Sequence, residues 1–437
     1  MINIIQGDSF KKLKEEDENS FDSCVTDPPY ELGFMNKKWD ESGIAFNVDF
    51  WKEVKRVLKP GSYLLSFGGT RTHHRMMVAI EDAGFEIRDT LMWVYGGGFP
   101  KNHDISKAID EHLGEKQKKV GLKPNATRKD GSMVDRDCYG GEWTDTPSGW
   151  QERGRDPYKR EPTTDEAKKW DGWGTALKPG YEPIVLARKP LDGTYAENTL
   201  KHGVGGLNID DCRIEADDPP KNVTTGQGFS EGKFMGNQGK GEGTIQEEEW
   251  EMPDEGRWPG NLILDERASA MLDEQSGKSS SNIRKPTGGE ILDPDDGWNE
   301  NNMEDRTVRG YEDKGGASRF FYCPKANGDN DRHLGVENND HPTVKPIELV
   351  SYLIRLVTPK GGNVLDPFAG SGTTGISAQL ENVSCTLIEK SKESVKIAKE
   401  RNEYVRKNYS EVKRDLYEDP SNSLTEEQTE VNEHSFW

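Results

Sequence analysis

Cysteine is scarce and scattered. The 437 residues hold five, Cys24, Cys138, Cys212, Cys323 and Cys385, and no two form a C-x-x-C pair. That argues against a disulfide framework or a zinc site, so no metal is expected and a cytoplasmic, reducing compartment is. Long hydrophobic runs are missing as well. No apolar stretch approaches the roughly 20 residues of a membrane helix, and Met1 to Ile5 reads as a strand, with none of the zones of a secretory signal. Basic charge is in deficit: 58 Lys and Arg stand against 79 Asp and Glu, a net charge of −21. Bulk electrostatics therefore lends no support to a polyanionic partner, although a local basic cleft is compatible with it. Hydrophobic residues make up only 32%, beside 47 glycines, a composition that fits one core and long polar loops.

What is present is concentrated at the two ends. Phe21 to Thr26 predicts a short buried strand, Phe50 to Leu58 a helix with apolar residues at helical spacing, and Ser62 to Phe67 a second strand. Arg75 to Ala83 predicts a helix and Ile87 to Tyr95 a third strand, closed by three glycines. The pattern fades over 99–178, apart from a helical stretch at Ile105 to Leu113, and returns at Tyr181 to Ala187 as a strand. From 190 to 335 the chain reads as mostly irregular, with loops over 215–256 and 276–316 and a short aromatic strand at Arg319 to Cys323. Beyond His341, Ile347 to Val357 predicts a helix whose first turn tolerates Pro346. A strand at Asn363 to Asp366, a helix at Thr373 to Leu380, a strand at Val383 to Ile388 and a helix at Glu393 to Arg406 follow. Such alternation implies an α/β fold with a parallel sheet covered on both faces. The acidic tail from 411 reads as disordered.

Two motifs carry chemistry. The first is Asp366-Pro367-Phe368-Ala369-Gly370-Ser371-Gly372-Thr373, which leaves a strand and opens a helix, with Glu389 closing the next strand. Gly370, Gly372 and Gly375 satisfy G-x-G-x-x-G, the spacing that lets a loop turn tightly beside a nucleotide-like ligand, and Glu389 is placed to accept from ribose hydroxyls. On these residues alone NAD and S-adenosylmethionine are both open, and a dehydrogenase with them. The second motif, Asp27-Pro28-Pro29-Tyr30, follows a strand. A conjugated amine is a weak nucleophile because its lone pair is delocalised. The carboxylate of Asp27 and the carbonyl of Pro28 can accept its N–H groups and localise that pair. The prolines stiffen the rim and bring no competing N–H, and Tyr30 offers a flat face for a base swung out of its duplex.

Together these motifs resemble the amino-methyltransferases of DNA modification, in the beta arrangement, where D-P-P-Y precedes the glycine motif and a recognition region lies between. Gly7-Asp8 resembles that family's further acidic motif, near the cofactor adenine. His341-Pro342-Thr343-Val344-Lys345-Pro346 resembles its H-P-T-x-K-P motif, in which Thr343 and Lys345 would wall the methionine end of the cofactor. Thr175 to Pro179, Glu182-Pro183-Ile184 and Gly206 to Asp210 are similar to segments of phage and prophage members. The resemblance covers about 1–100, 175–213 and 319–407.

The resemblance implies a Rossmann-like S-adenosylmethionine-dependent methyltransferase fold, a seven-stranded sheet with one reversed strand. Residues 1–98 would be the catalytic half and 336–410 the cofactor half. Between them would lie an insertion with possible DNA contact at 99–178, a returning strand at 179–189 and a recognition region at 190–335; 411–437 would be the tail. The function implied is site-specific methylation of adenine N6 in double-stranded DNA, with Asp27, Pro28, Pro29 and Tyr30 catalytic. Asp8, Thr343, Lys345, Glu389 and Asp366 to Thr373 would bind the cofactor. Cytosine N4 is the nearest alternative, although the family tends to use Ser in place of Asp27 for cytosine; an RNA or protein-amide substrate usually goes with N-P-P-Y. A homodimer and a cognate restriction enzyme are both open, as is an orphan enzyme without one.

Ser66 to Arg71 reads equally as a wall of the base pocket or a plain turn, and His73 and His74 start a helix with no metal-ligand partner. Trp143, Trp150, Trp170 and Trp173, among Arg153, Arg155, Lys159, Arg160, Lys168 and Lys169, read equally as a DNA-contacting stretch or a solvated loop with aromatic anchors. Glu152 and Asp156 dilute the charge there.

Overall fold

A computed structural model describes residues 1–32, 42–98, 102–122, 158–215, 256–280, 313–325, 328–341 and 343–417. Most of the loops expected over 215–256 and 276–316 lie outside these residues, as do Cys138, Pro342 and the chain from 418. Trp143, Trp150, Glu152, Arg153, Arg155 and Asp156 lie outside them too. In chain order the elements begin β1 (Ile2–Gln6), α1 (Ser9–Leu13), β2 (Phe21–Thr26), α2 (Val48–Val57), β3 (Leu58–Phe67), α3 (His73–Asp82) and β4 (Glu86–Val94). Next come α4 (Ile105–His112), β5 (Lys118–Leu122), β6 (Tyr158–Glu161), α5 (Asp165–Lys168), β7 (Tyr181–Arg188) and α6 (Tyr195–His202). Then follow β8 (Leu262–Leu264), α7 (Glu266–Ser276), β9 (Ser279–Ser280), β10 (Lys314–Gly315), α8 (Gly328–His333) and α9 (Ile347–Val357). The series closes with β11 (Asn363–Asp366), α10 (Thr373–Leu380), β12 (Ser384–Glu389), α11 (Lys392–Lys407) and α12 (Tyr409–Tyr417).

The chain divides into two units, Met1–Gly97 with Gly180–Trp437, and Gly98–Pro179. The first is built on one sheet in the order β1-β12-β11-β2-β3-β7-β4-β8. Every neighbouring pair is parallel except those made by β7, which runs against both β3 and β4. Alternate side chains serve opposite faces. Tyr63, Leu65 and Phe67 of β3 join Leu349, Leu353 and Leu356 of α9 on one face, whereas Leu58 and Leu64 join Phe50, Trp51 and Val54 of α2 on the other. β2 is buried along its whole length, which is why its sequence shows no alternation. α9 hides nine of its eleven residues, so it is apolar nearly all round. α2 is amphipathic instead, and Asn47 caps it by accepting from the backbone N–H of Asp49 and Phe50.

The sheet departs from the expected seven strands in one place. An eighth, β8, pairs parallel with β4 through Met92↔Leu262, Trp93↔Ile263 and Val94↔Leu264. The aromatic strand expected at Arg319 to Cys323 is instead a 3₁₀ turn over Ala317–Phe320, followed by a single bridge from Tyr322 to Ile263. Chain from 411 is helical up to Tyr417, because Val412 is buried in a cluster with Ile347 and Val405, and Leu416 and Tyr417 pack against that cluster. Pro346 stands at the N-cap of α9, one position before the first turn.

In the second unit β5 and β6 pair antiparallel, and α4 packs near α5. Asp110 on α4 is fully buried and accepts from Thr163 N (2.9 Å), Thr164 N (3.0 Å) and Thr164 Oγ1 (2.7 Å). Burial opposes its charge, but these bonds outweigh burial and hold its carboxyl below the usual range.

Candidate active site

Parallel strands in a sheet of this kind gather their following loops at one edge. β2 and β11 are neighbours there, in register at Ser23↔Val364 and Cys24↔Leu365. Their last residues are joined directly: Thr26 Oγ1 donates to Asp366 Oδ1 at 2.7 Å. Asp366 also accepts from Phe368 N on Oδ1 (3.0 Å) and from Thr374 Oγ1 on Oδ2 (2.6 Å). Burial pushes its carboxyl up to about 6 against these bonds, with the charge of Asp27 adding to the rise. Asp366, expected to touch a cofactor, is thus an internal strut that ties D-P-P-Y to the glycine loop.

Asp27, one residue past that strut, has two oxygens in different states. Oδ2 accepts from Lys345 Nζ at 2.7 Å. Oδ1 is buried and has no hydrogen-bond partner among the described residues. Lys345 also donates to the Tyr30 hydroxyl (3.1 Å) and lies 3.3 Å from Glu182 Oε2. The Tyr30 hydroxyl in turn donates to Glu182 Oε2 at 2.8 Å. Burial works against the Lys345 charge, but Asp27 and Glu182 together overcome it and hold the ammonium protonated above its ordinary range. Burial, then the two carboxylates, push the Tyr30 phenol well up, so it stays a neutral donor. Behind this rim, Thr72 Oγ1 donates to the Tyr30 carbonyl at 2.7 Å, so the turn after β3 supports the motif. Pro28 is buried and Pro29 partly so.

The glycine loop is held from three sides. Ala369 N donates to Ile388 O (3.0 Å) and Gly370 N to Glu389 Oε2 (2.9 Å); Ser391 N takes Oε1 (2.7 Å). Gly370 and Gly372 adopt φ of 51° and 84°, the left-handed region glycine enters without strain. A Cβ on Gly370 would lie 2.8 Å from His341 Nε2, and one on Gly372 2.8 Å from Ala398 Cβ of α11. The missing Cβ of Gly372 therefore serves the approach of loop to helix. Arg401 of α11 is fully buried and donates to Ser371 O (2.8 Å), Ser371 Oγ (2.9 Å) and Thr373 Oγ1 (3.3 Å). Asp8 caps α1, 3.4 Å from Lys390 Nζ, and Gly7 N donates to Glu389 O. Asp8 and Glu389 thus share one end of the β1–β12 pair. Phe368 rests its ring on Phe50 at 5.2 Å, and Thr343 is exposed.

This donor set suits a cationic adenosyl ligand. Burial raises Glu389 as well as Asp366, and Asp27 leaves a buried acceptor open, so a positive ligand would relieve charge already confined there. Of the residues read from sequence, Asp27 and Tyr30 meet Lys345, which stands on the D-P-P-Y side of the site. The motif reading did not assign a role to Glu182 or Arg401. Glu182 was visible only as part of Glu182-Pro183-Ile184. It reaches the site because β7 is reversed, so its first residues lie where β3 ends, with Gly68 N donating to Pro183 O at 2.9 Å.

A family model described as DNA methylase matches residues 21–400. The type II methyltransferase M.HindIII of Haemophilus influenzae is 25% identical over 249 residues, 47% of this chain and 64% of that enzyme. M.HpaI of Haemophilus parainfluenzae is 30% identical over 116 residues, 25% of this chain and 37% of that one. The matched part is less than two thirds of either relative's length. TTHA0409 of Thermus thermophilus, solved in complex with S-adenosyl-L-methionine, aligns over 93% of this chain and 94% of its own at 16% identity. Its TM-score of 0.37 is too low to place individual residues.

Proposed function

This chain belongs to the N6/N4 DNA methylase family, and on that premise we propose that it transfers a methyl group from S-adenosylmethionine to N6 of adenine at a specific site in double-stranded DNA. The observation that carries the reading is the Thr26–Asp366 bond, across 340 residues of sequence. It sets the acceptor rim of Asp27 beside the glycine loop. Asp27 Oδ1 accepts one N–H of a flipped-out base and the Pro28 carbonyl the other, which localises the lone pair on nitrogen and aims it. Oδ1 then takes the proton that the amine gives up. The Tyr30 face stacks on the base while its hydroxyl stays fixed by Glu182 and Lys345.

Glu389 and Asp8 hold the adenosyl portion, and Pro367 to Thr373 with Phe368 line its path. When bound, S-adenosylmethionine supplies an electrophilic methyl group on a sulfonium. Asp at position 27, where family members acting on cytosine tend to carry Ser, favours adenine. The test is expression in a bacterium free of DNA methylation, followed by digestion of its DNA to nucleosides and single-molecule sequencing. N6-methyladenine at one recurring site is the expected product. N4-methylcytosine would transfer the reading to the cytosine alternative, and unmodified DNA would overturn it.

A further inference from the structure

We propose that Glu182 is a positioning residue for this methyl transfer: it holds Lys345 and Tyr30 so that Asp27 keeps one oxygen bound and the other open to the base. The inference rests on the function proposed above. Four groups converge from three places in the chain: Asp27 and Tyr30 after β2, Glu182 at the start of β7, and Lys345 just before α9. Of the three protons an ammonium carries, Lys345 directs one to Asp27 Oδ2 (2.7 Å) and one to Tyr30 Oη (3.1 Å), and its charge pairs with Glu182 Oε2 at 3.3 Å. Tyr30 gives its own proton to Glu182. The direction of every bond is thereby set, and none reaches Asp27 Oδ1.

Without the Glu182 carboxylate the arrangement loses its anchor. The Tyr30 hydroxyl would be released to donate to Asp27, and Lys345 to swing across both Asp27 oxygens. Either move caps the acceptor the amine needs.

The decisive experiment compares Glu182→Gln, which preserves shape and removes charge, with Glu182→Ala and with Glu182→Asp. Single-turnover methylation should fall by about 10²-fold in the Gln and Ala variants, with KM for DNA and affinity for S-adenosylmethionine unchanged, and Asp should recover part of the loss. The groups facing Lys345 are Asp27, Tyr30, Glu182, Tyr95 at the end of β4, and His341 on its own segment. Removing one of its two anions lowers its pKa toward the ordinary lysine range.

An unchanged rate or a loss confined to KM in a folded Glu182→Gln protein would overturn the assignment. A second measurement needs no turnover. In protein labelled with ¹³C at lysine Cε, the Lys345 resonance, assigned by its disappearance in Lys345→Arg, should titrate at lower pH in Glu182→Gln. Identical titrations would overturn the assignment. If the wild-type chain methylated no DNA, the proposed function would fall, and the lysine titration would still decide whether Glu182 holds Lys345.

Discussion

Asp27 and His341 show how much of the chemistry is set by single side chains. Asp27→Asn replaces the open acceptor with an amide that also donates, so it should lower methyl transfer by at least about 10²-fold, the scale of losing one directed polar contact. Affinity for S-adenosylmethionine, followed by thermal shift, should persist; full activity in the Asn variant would remove Asp27 from the reaction. His341 makes a pH prediction. Burial lowers its imidazole from an ordinary 6.5 to about 4, against the pull of Asp27 in the other direction. Between those values the unfolded chain binds a proton that the folded chain refuses, so stability present above pH 6.5 is lost as pH falls toward 4. Unfolding free energy between pH 6.5 and 4 should therefore fall less steeply in His341→Gln, by at most ~1.4 kcal/mol per pH unit. Parallel slopes would show the imidazole to be solvated. The local motif made Asp27 and Tyr30 legible as candidates in the sequence, since four adjacent residues make up the rim to which the amine chemistry is assigned here. Glu182 and the Asp27 contact of Lys345 were not, because their meeting depends on the direction of β7 and on a segment more than 300 residues from Asp27.

At the scale of elements, the glycine loop and α11 act as a pair. Asn402 Nδ2 donates to Gly372 O at 3.0 Å, and Arg401 grips Ser371. Gly372→Ala should therefore destabilise the fold before it touches ligand chemistry. A left-handed φ costs a residue with a Cβ ~1–2 kcal/mol, and overpacking against the backbone of Ala398 adds ~1–3 kcal/mol. The check is urea unfolding, where the midpoint should drop; an unshifted midpoint would mean that α11 yields without cost. Gly370→Ala meets the imidazole of His341, a side chain that can turn, and should cost less. The strands and helices at the two ends of the chain were legible because burial imposes periodicity: β2, β11, α9 and α10 match their expected limits. β8 was not, for three residues carry no period, and its place is set by pairing with Met92 to Val94. α12 was not legible either, because the acidic chain after it masks the residues that dock it, Tyr409, Val412, Leu416 and Tyr417.

For the molecule as a whole, the puzzle is a net charge of −21 in a chain proposed to bind a polyanion. The described residues of the unit Gly98–Pro179 depart from that excess, with nine basic residues against eight acidic. Lys118, Lys119, Lys159 and Arg160 all stand on the β5–β6 ribbon, and Trp170 and Trp173 are exposed in the same unit, 44% and 60% accessible. A two-stranded ribbon with four cations against one acid, Glu161, in a unit that also exposes two indoles, fits a phosphate backbone, whereas the chain's overall field repels one. Reversing Lys118, Lys119 and Lys159 to Glu should therefore weaken DNA binding far more than three changes beside 79 acidic residues would suggest. Log affinity should also become less dependent on log salt, by ~0.9 for each phosphate that is no longer neutralised. S-adenosylmethionine affinity should not move, since none of these residues belongs to the unit that carries the D-P-P-Y and glycine motifs. Binding isotherms at several salt concentrations separate the outcomes. An unaltered slope with unaltered affinity would place the backbone contacts elsewhere, and a fall in cofactor affinity would mean the reversals damage the fold.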